Sequence, residues 1–461
     1  MKRPSNPNPT EHHPSIHPSI HIYPRTPSLP PQPPKEISIA SSYLTLPQNP
    51  HTPNNRKKSA PPPSSLSSRK ISKSTHKKIN RNFKLARREE RKMGAALSQS
   101  FFLPSPPLTA STCPDQTGRV WIVTGGYSGI GLELCRIVYA RNATVYIAGR
   151  SRTAAATAIR EIERSAADSQ GKLWFLEMDY MDMGSVRGGV DEFLGREERL
   201  DVLVNNAGIM LKSHPTLPIH NTHLLTNILA PTLLTKLLTP LLTSTAASSP
   251  TASVRVLWAG SIAVHVSAPR PGGMKIDGSG RPTHDEENGE DGLLSYGASK
   301  VGNVFLSRKF AERGKKKDGG VVHVCFNPGN LSSGLQRYWG GGICGSWYVL
   351  SFDYLSLSLS SLLEEINDAL GGWSGRFKRS EKSRCRKFFF FPARYGAYTE
   401  LFAALSPEIT PAKSGAYIYP WGRFGDLPAD VEDAIKSEEE GGTGVADRFV
   451  EWCEREVDKY L

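Results

Sequence analysis

The chain is 461 residues long, with 38% apolar residues and a formal net charge of +13. The charge is uneven: residues 1–92 hold 18 Lys/Arg against 4 Asp/Glu, so the other 369 residues sum to −1. That excludes general nucleic-acid binding by the folded part, and the low apolar share implies that some of the chain is not packed.

The first 92 residues contain 17 of the 35 prolines, much Ser, Asn and His, and no apolar periodicity. Such a segment cannot bury enough surface to offset its ordering entropy, so a disordered basic tail is expected over 1–92, followed by a linker over 93–118. From Met93 the sequence reads M-G-A-A-L-S, which matches the N-myristoylation pattern for a chain that starts there. Peripheral membrane association is therefore one reading beside a cytoplasmic location. No apolar run is expected to span a bilayer, since the nearest, 224–242, is interrupted by Asn227, Lys236 and two prolines. The six cysteines form no C-x-x-C pair, which argues against a bound metal or a disulfide framework and fits a reducing compartment.

From Arg119 a regular alternation begins. Strands are expected at 120–124, 144–148, 172–178, 201–204, 254–259 and 321–326. Between them lie helices near 129–141, 153–167, 183–194, 220–242 and 294–313. Strands alternating with helices imply right-handed βαβ units: a doubly wound Rossmann-type α/β domain over 119–461, with its ligands at the carboxyl ends of a parallel sheet. Residues 339–392 break the rhythm with Gly-rich, Ser/Leu-rich and then Arg/Lys/Phe-rich sequence. This insert reads as a lid, a membrane contact or a segment foreign to the working fold, and the last is favoured. The pattern resumes with a helix at 393–405, an edge strand at 416–420 and an amphipathic helix at 445–460.

Three stretches carry chemistry. The first is V-W-I-V-T-G-G-Y-S-G-I-G (120–131), an apolar strand that breaks into glycines and restarts as a helix. Glycines let the main chain turn tightly and approach a diphosphate, and the helix start offers unpaired N–H groups. The second is Y-G-A-S-K (296–300), whose Tyr296 and Lys300 stand four apart on one helix face. An ammonium near a phenol favours the phenolate, which suits proton exchange near neutral pH. The third is Ser261, at the end of a strand, where its hydroxyl can meet a substrate oxygen.

With these motifs the sequence resembles the short-chain dehydrogenase/reductase family. The matching residues are T-G-G-Y-S-G-I-G (124–131), Asp179, N-N-A-G (205–208), Asn227, Ser261, Y-G-A-S-K (296–300) and N-P-G (327–329). The interval of 35 residues from Ser261 to Tyr296 is long for the family and is similar to the retinol-dehydrogenase-like branch. Gly260 stands where the family often has a first serine. The resemblance implies Tyr296 as general acid/base and Lys300 as the group that lowers its pKa and holds the nicotinamide ribose. It implies Ser261 as the group orienting the carbonyl or hydroxyl, and Asn227 as the holder of a water that links Lys300 to solvent. The implied cofactor set is Gly125, Tyr127, Ser128, Gly129, Ile130, Gly131, Asp179 at the adenine, Asn205, Ala207, Gly208, Tyr296, Lys300, Pro328 and Gly329.

The strand at 144–148 runs into G-R-S-R (149–152) with no acid, and Arg150 and Arg152 suit a ribose 2′-phosphate. NADP(H) is therefore expected over NAD(H). The expected activity is hydride transfer between nicotinamide and a small, lipophilic alcohol or carbonyl substrate, in a chain that could act as a homo-oligomer. The rival reading is a non-catalytic NADP-sensing regulator on the same fold.

Overall fold

The computed structural model describes residues 94, 98–101, 103–211, 219–283, 292–316, 320–335 and 390–461. The expected tail at 1–92, Met93 and most of the 339–392 insert lie outside these residues.

Strand β1 (Val120–Thr124) is buried at every position because it receives helices on both faces. Its side chains alternate between two cores: Val120 and Ile122 enter one, Trp121 and Val123 the other. The chain continues through α1 (Gly129–Tyr139), β2 (Thr144–Gly149), α2 (Arg152–Ser165), β3 (Lys172–Glu177), α3 (Met183–Leu194) and β4 (Val202–Asn205). Next come α4 (Ile219–Leu224), a π turn (Leu225–Leu229), α5 (Ala230–Ala247), β5 (Arg255–Ala259), α6 (Ala263–Val266), α7 (Gly292–Lys316) and β6 (Val322–Phe326). Two short strands, β7 (Leu331–Ser332) and β8 (Phe391–Pro392), pair in parallel apart from the main sheet. The chain closes with α8 (Ala393–Leu405), β9 (Tyr417–Tyr419), β10 (Arg423–Gly425), α9 (Ala429–Ile435) and α10 (Val445–Asp458).

The main sheet runs β10-β9-β6-β5-β4-β1-β2-β3, and every neighbouring pair is parallel except β9–β10. After β3 the chain crosses back to place β4 beside β1. This reversal opens a crevice at the carboxyl ends of β1 and β4, where a doubly wound sheet holds its ligand. Buried residues of α1, α2 and α8 fill one core, and those of α3, α5, α7, α9 and α10 fill the other.

The expected elements from β1 to α8 are present within a few residues of their positions. Three boundaries differ. The strand expected at the edge near 416–420 is interior: β9 lies between β6 and the antiparallel β10, reached through a turn at Gly422 with φ +97°. Residues 103–118, expected as linker, pack on the domain, with Cys113 and Gln116 buried and Gln116 N–H bonded to the Arg141 carbonyl at 2.6 Å. Residues 390–392, assigned to the insert, belong to the fold through β8. Among the described residues one helix, Asn221–Ala247, is long and apolar enough by length and composition to cross a membrane. Its most apolar window is 67% buried inside the protein, which marks it as a core helix.

Candidate active site

The crevice is built around the end of β1. Thr124 Oγ donates to the Val204 carbonyl at 3.1 Å and accepts from the N–H groups of Asn206 and Ala207 at 3.0 and 2.9 Å. Asn206 Nδ2 closes the ring on the Thr124 carbonyl at 2.8 Å. The ends of β1 and β4 are thereby locked together. Of the two asparagines in N-N-A-G, Asn206 faces the glycine loop, a role the sequence reading did not assign to it. Asn205, expected to line the cofactor, instead turns its buried side chain to Thr235 Oγ1 at 3.0 Å.

The loop needs its glycines for two separate reasons. Gly125 and Gly129 adopt φ of +68° and +58°, in the left-handed region. At Gly131 a Cβ would stand 2.7 Å from Asn206 Nδ2 and 2.9 Å from the Gly125 carbonyl oxygen. Helix α1 starts behind exposed Ser128, which makes no side-chain cap, and its first turn carries no acid. Its leading N–H groups are thus left to a ligand. A main chain this bare, ending at a helix start, fits a dinucleotide diphosphate.

At the ends of β2 and β3 lies the second expected subsite. The Tyr127 ring covers Gly149, where a Cβ would come within 2.4 Å of it. Arg150 is exposed beside it. Arg152 is also exposed but is paired with Glu177 at 2.8 Å and stacks on Phe175 with its guanidinium 5.4 Å from the ring centre. Asp179 accepts the Met181 N–H at 3.0 Å, so its carboxylate helps form a local turn.

The π turn carries Asn227. Residue 231 is proline, which has no N–H to give the Asn227 carbonyl four residues earlier and whose ring crowds it. The helix therefore widens at this point rather than running straight. Asn227 Oδ1 accepts the Ile209 N–H at 2.9 Å, and its Nδ2 donates to the Ile209 carbonyl at 3.0 Å and to Ser299 Oγ at 2.9 Å. Gly208 lies between Asn227 and Lys300: a Cβ there would be 3.2 Å from Asn227 Oδ1 and 3.4 Å from Lys300 Nζ.

Tyr296 and Lys300 are both buried on α7, with Nζ 5.6 Å from the centre of the phenol ring. Nζ donates to the Ala259 carbonyl at 2.8 Å, at the end of β5. Burial pushes the Tyr296 phenol up to about 12, and a hydrogen bond from Ser261 works against that rise. Burial also brings Lys300 down to about 8. At that value Lys300 is still mostly an ammonium at neutral pH, 5.6 Å from the ring centre, so Ser261 and the Lys300 charge both stand where they favour the phenolate against burial.

Ser261 leaves β5 through Gly260. A Cβ at residue 260 would meet the Phe326 carbonyl oxygen at 2.9 Å, the Tyr417 ring at 2.9 Å and Cys325 Sγ at 3.0 Å, which accounts for glycine there. Tyr417 donates its hydroxyl to the Ser261 carbonyl at 2.8 Å. This support comes from β9, far along the chain, and no local signal in the sequence announces it. His223 was also missed. It is fully buried, its Nε2 accepts the Leu211 N–H at 3.0 Å, its Nδ1 faces Ser295 Oγ at 3.0 Å, and its ring lies 6.0 Å from that of Tyr296.

Ile130, Ser261, Tyr296, Pro328 and Gly329 line one cleft, a cavity of about 60 Å³. Leu331, Leu335 and Phe390 give it an apolar wall. Four sequence-distant motifs thus converge on one spot, while Gly208, Asn227 and Lys300 meet beside it. Arg150, Arg152 and Asp179 sit apart, at the ends of β2 and β3. Among the described residues no group of three or more His, Cys, Asp or Glu side chains is gathered to hold a metal.

A doubly wound sheet with a glycine-lined crevice at its switch point, a buried tyrosine and a strand-end serine defines an oxidoreductase of the dinucleotide-binding class. The comparisons with known proteins narrow the class. A family model described as short chain dehydrogenase matches residues 119–253. A short-chain dehydrogenase/reductase of Phomopsis amygdali is 37% identical over 364 residues, 78% of this chain and 96% of that one. The short-chain dehydrogenase/reductase bet4 of Neocamarosporium betae is 34% identical over 365 residues, 78% of this chain and 92% of that one. An NADPH-bound carbonyl reductase from chicken fatty liver is 16% identical with a TM-score of 0.44, covering 68% of this chain and 100% of that one. The chain belongs to the short-chain dehydrogenase/reductase family.

Proposed function

We propose that the chain is an NADP(H)-dependent oxidoreductase that interconverts the alcohol and carbonyl forms of a small lipophilic substrate. The observation that carries this reading is the meeting of Ser261 and Tyr296 in one apolar-walled cleft with Ile130 of the glycine loop. The glycine loop would hold the diphosphate, Arg150 and Arg152 the 2′-phosphate, and Asp179 the adenine. Lys300 would hold the ribose hydroxyls, and Pro328 with Gly329 the nicotinamide. The bound nicotinamide supplies hydride for reduction and takes it up in oxidation.

The chain's own residues manage the oxygen and the proton. Ser261 Oγ hydrogen-bonds the substrate oxygen and holds it beside the phenol. Tyr296 gives its proton to that oxygen as a carbonyl is reduced, and recovers it in the reverse direction. Asn227, fixed by Ile209 and Ser299, holds a water through which Lys300 exchanges protons with solvent. The apolar wall excludes bulk water and favours lipophilic substrates.

The test is a panel of ketones, aldehydes and bulky alcohols, with NADPH or NADP turnover followed optically. Tyr296→Phe is expected to lower kcat by about 10³-fold while NADPH still binds. An unchanged rate in that variant removes Tyr296 as the proton donor, and binding without turnover of any substrate by the parent chain favours the non-catalytic sensing reading.

A further inference from the structure

Pro328, Gly329 and Asn330 of the 327–330 turn line the same cleft as Tyr296, and the turn does not hold its shape alone. Asn327 Oδ1 accepts the Gly329 N–H at 3.0 Å, which stabilises Gly329 at φ +94°. That contact requires the Asn327 amide to face one way only, oxygen toward Gly329 and nitrogen outward. The outward Nδ2 meets an acceptor from outside the turn: Gln99 Oε1, at 2.8 Å. The next residue repeats the pattern at the other end of the turn, where Ser100 Oγ accepts from Asn330 Nδ2 at 3.0 Å. The residue before is fastened to β10, since the Arg423 guanidinium donates to the Ser98 carbonyl at 2.8 Å and to Ser98 Oγ at 3.3 Å. Gln99 is fully buried and Ser100 nearly so.

We propose that residues 98–100 form a strap that sets the 327–330 turn, with Gln99 as a positioning residue for the nicotinamide end of the cleft; this rests on the oxidoreductase reading above. Three consecutive residues bonded to both ends of one turn and to the neighbouring strand are more than a packed chain end. Two of the three contacts fall on the asparagines that flank Pro328 and Gly329, and Asn330 lines the cleft with those two residues. A buried amide that loses its partner is costly, so removing the Gln99 acceptor favours rotation of Asn327 and frees Gly329 from its left-handed turn. The strap reaches the cofactor only through Asn327 and Asn330, and its effect therefore appears in binding before it appears in chemistry.

The experiment uses the full chain. Gln99→Met keeps the volume of the side chain and removes the acceptor. Its dissociation constant for NADPH, read by titration of tryptophan fluorescence, is expected to rise about tenfold. kcat at saturating cofactor is expected to stay within about twofold of the parent. Ser100→Ala, which disturbs less, is expected to shift the constant about threefold and covers the case in which Gln99→Met does not fold. In an Asn327→Ala background, Gln99→Met is expected to add nothing further, because the two act on one contact. Equal NADPH affinity in the parent and in both single variants overturns the strap, as does simple additivity with Asn327→Ala. A parent chain that binds neither NADPH nor NADH overturns the oxidoreductase reading as well, so the two failures are told apart.

Discussion

Tyr296 and Lys300 show how burial sets the direction of the proposed chemistry. A phenol raised to about 12 is fully protonated at neutral pH and is a ready donor to a carbonyl oxygen. Reduction is therefore expected to be flat between pH 6 and 8, whereas oxidation, which needs the phenolate, is expected to gain about tenfold per pH unit over that range. Initial rates in the two directions against pH check this, and a flat oxidation profile contradicts it. Lys300 also bears on stability. Its folded pKa of about 8 lies below the ordinary 10.5, so between these values the unfolded chain binds more protons. The penalty is fully present below pH 8 and fades as pH rises toward 10.5. Lys300→Met is accordingly expected to gain on the order of 3 kcal/mol at pH 7, a gain that shrinks by pH 10, while activity is lost. Thermal melts of parent and variant at the two pH values test the sign. The cofactor preference belongs to this scale too. Arg152 already neutralises Glu177, so its attraction for a 2′-phosphate is divided. Arg150→Glu is expected to shift the preference from NADPH toward NADH by about 10²-fold, and Glu177→Gln to shift it toward NADPH by a few-fold. Ratios of kcat/KM for the two cofactors decide, and an unchanged ratio in Arg150→Glu removes the case for NADP.

Elements whose reason for forming is local were legible in the sequence, and elements made by distant partners were not. Strands β1 to β6 read as apolar runs because each is covered on both faces, and the glycines after β1 announce their own turn. The π turn is local too, since Pro231 forbids the ordinary bond to Asn227, but its effect on the phase of the helix escapes a count along a regular pattern. Asn227 is assigned by counting along that one helix, and its role comes from the resemblance to the family. β10, at three residues, has no periodicity of its own and exists because β9 offers it an edge. Helix α8 was legible, but the way it ends was not. Arg255 at the start of β5 is almost fully buried. It donates to the carbonyls of Ala252, Ala403, Ser406 and Ile409, so a cation closes the negative end of α8. Arg255→Met removes all of these charge-assisted bonds, leaving Ser406 only its backbone bond from the Ile409 N–H at 3.3 Å, and is expected to cost about 3 kcal/mol. Chemical denaturation should show a lower midpoint with an unchanged slope, while KM values hold in the surviving native protein. A midpoint equal to that of the parent refutes this capping role.

At the scale of the whole molecule, the site is assembled from parts that the sequence reading separated. The strap at 98–100 came from the supposed linker, and Phe390 with β8 came from the supposed insert. Both failures have one cause: composition marks where a regular pattern stops, but not which short pieces beyond it are captured by the sheet. The boundary can be drawn more narrowly. Leu335 and Phe390 line the same cleft, and β7 pairs with β8 at Leu331–Phe391 and Ser332–Pro392, so residues 335 and 390 stand close enough for a short connection to join them. If residues 341–389 are foreign to the working fold, replacing them with a short Gly/Ser linker is expected to leave the melting temperature and NADPH affinity within experimental spread of the parent. Carrying the deletion through residue 392 removes β8, takes Phe390 from the cleft wall and Phe391 from its edge-on contact with Trp421, and is expected to weaken NADPH binding about tenfold or more. Two deletions that differ by only three residues should thus behave as native and as impaired protein. Loss of cofactor binding in the shorter one means that the inserted segment itself takes part in the site.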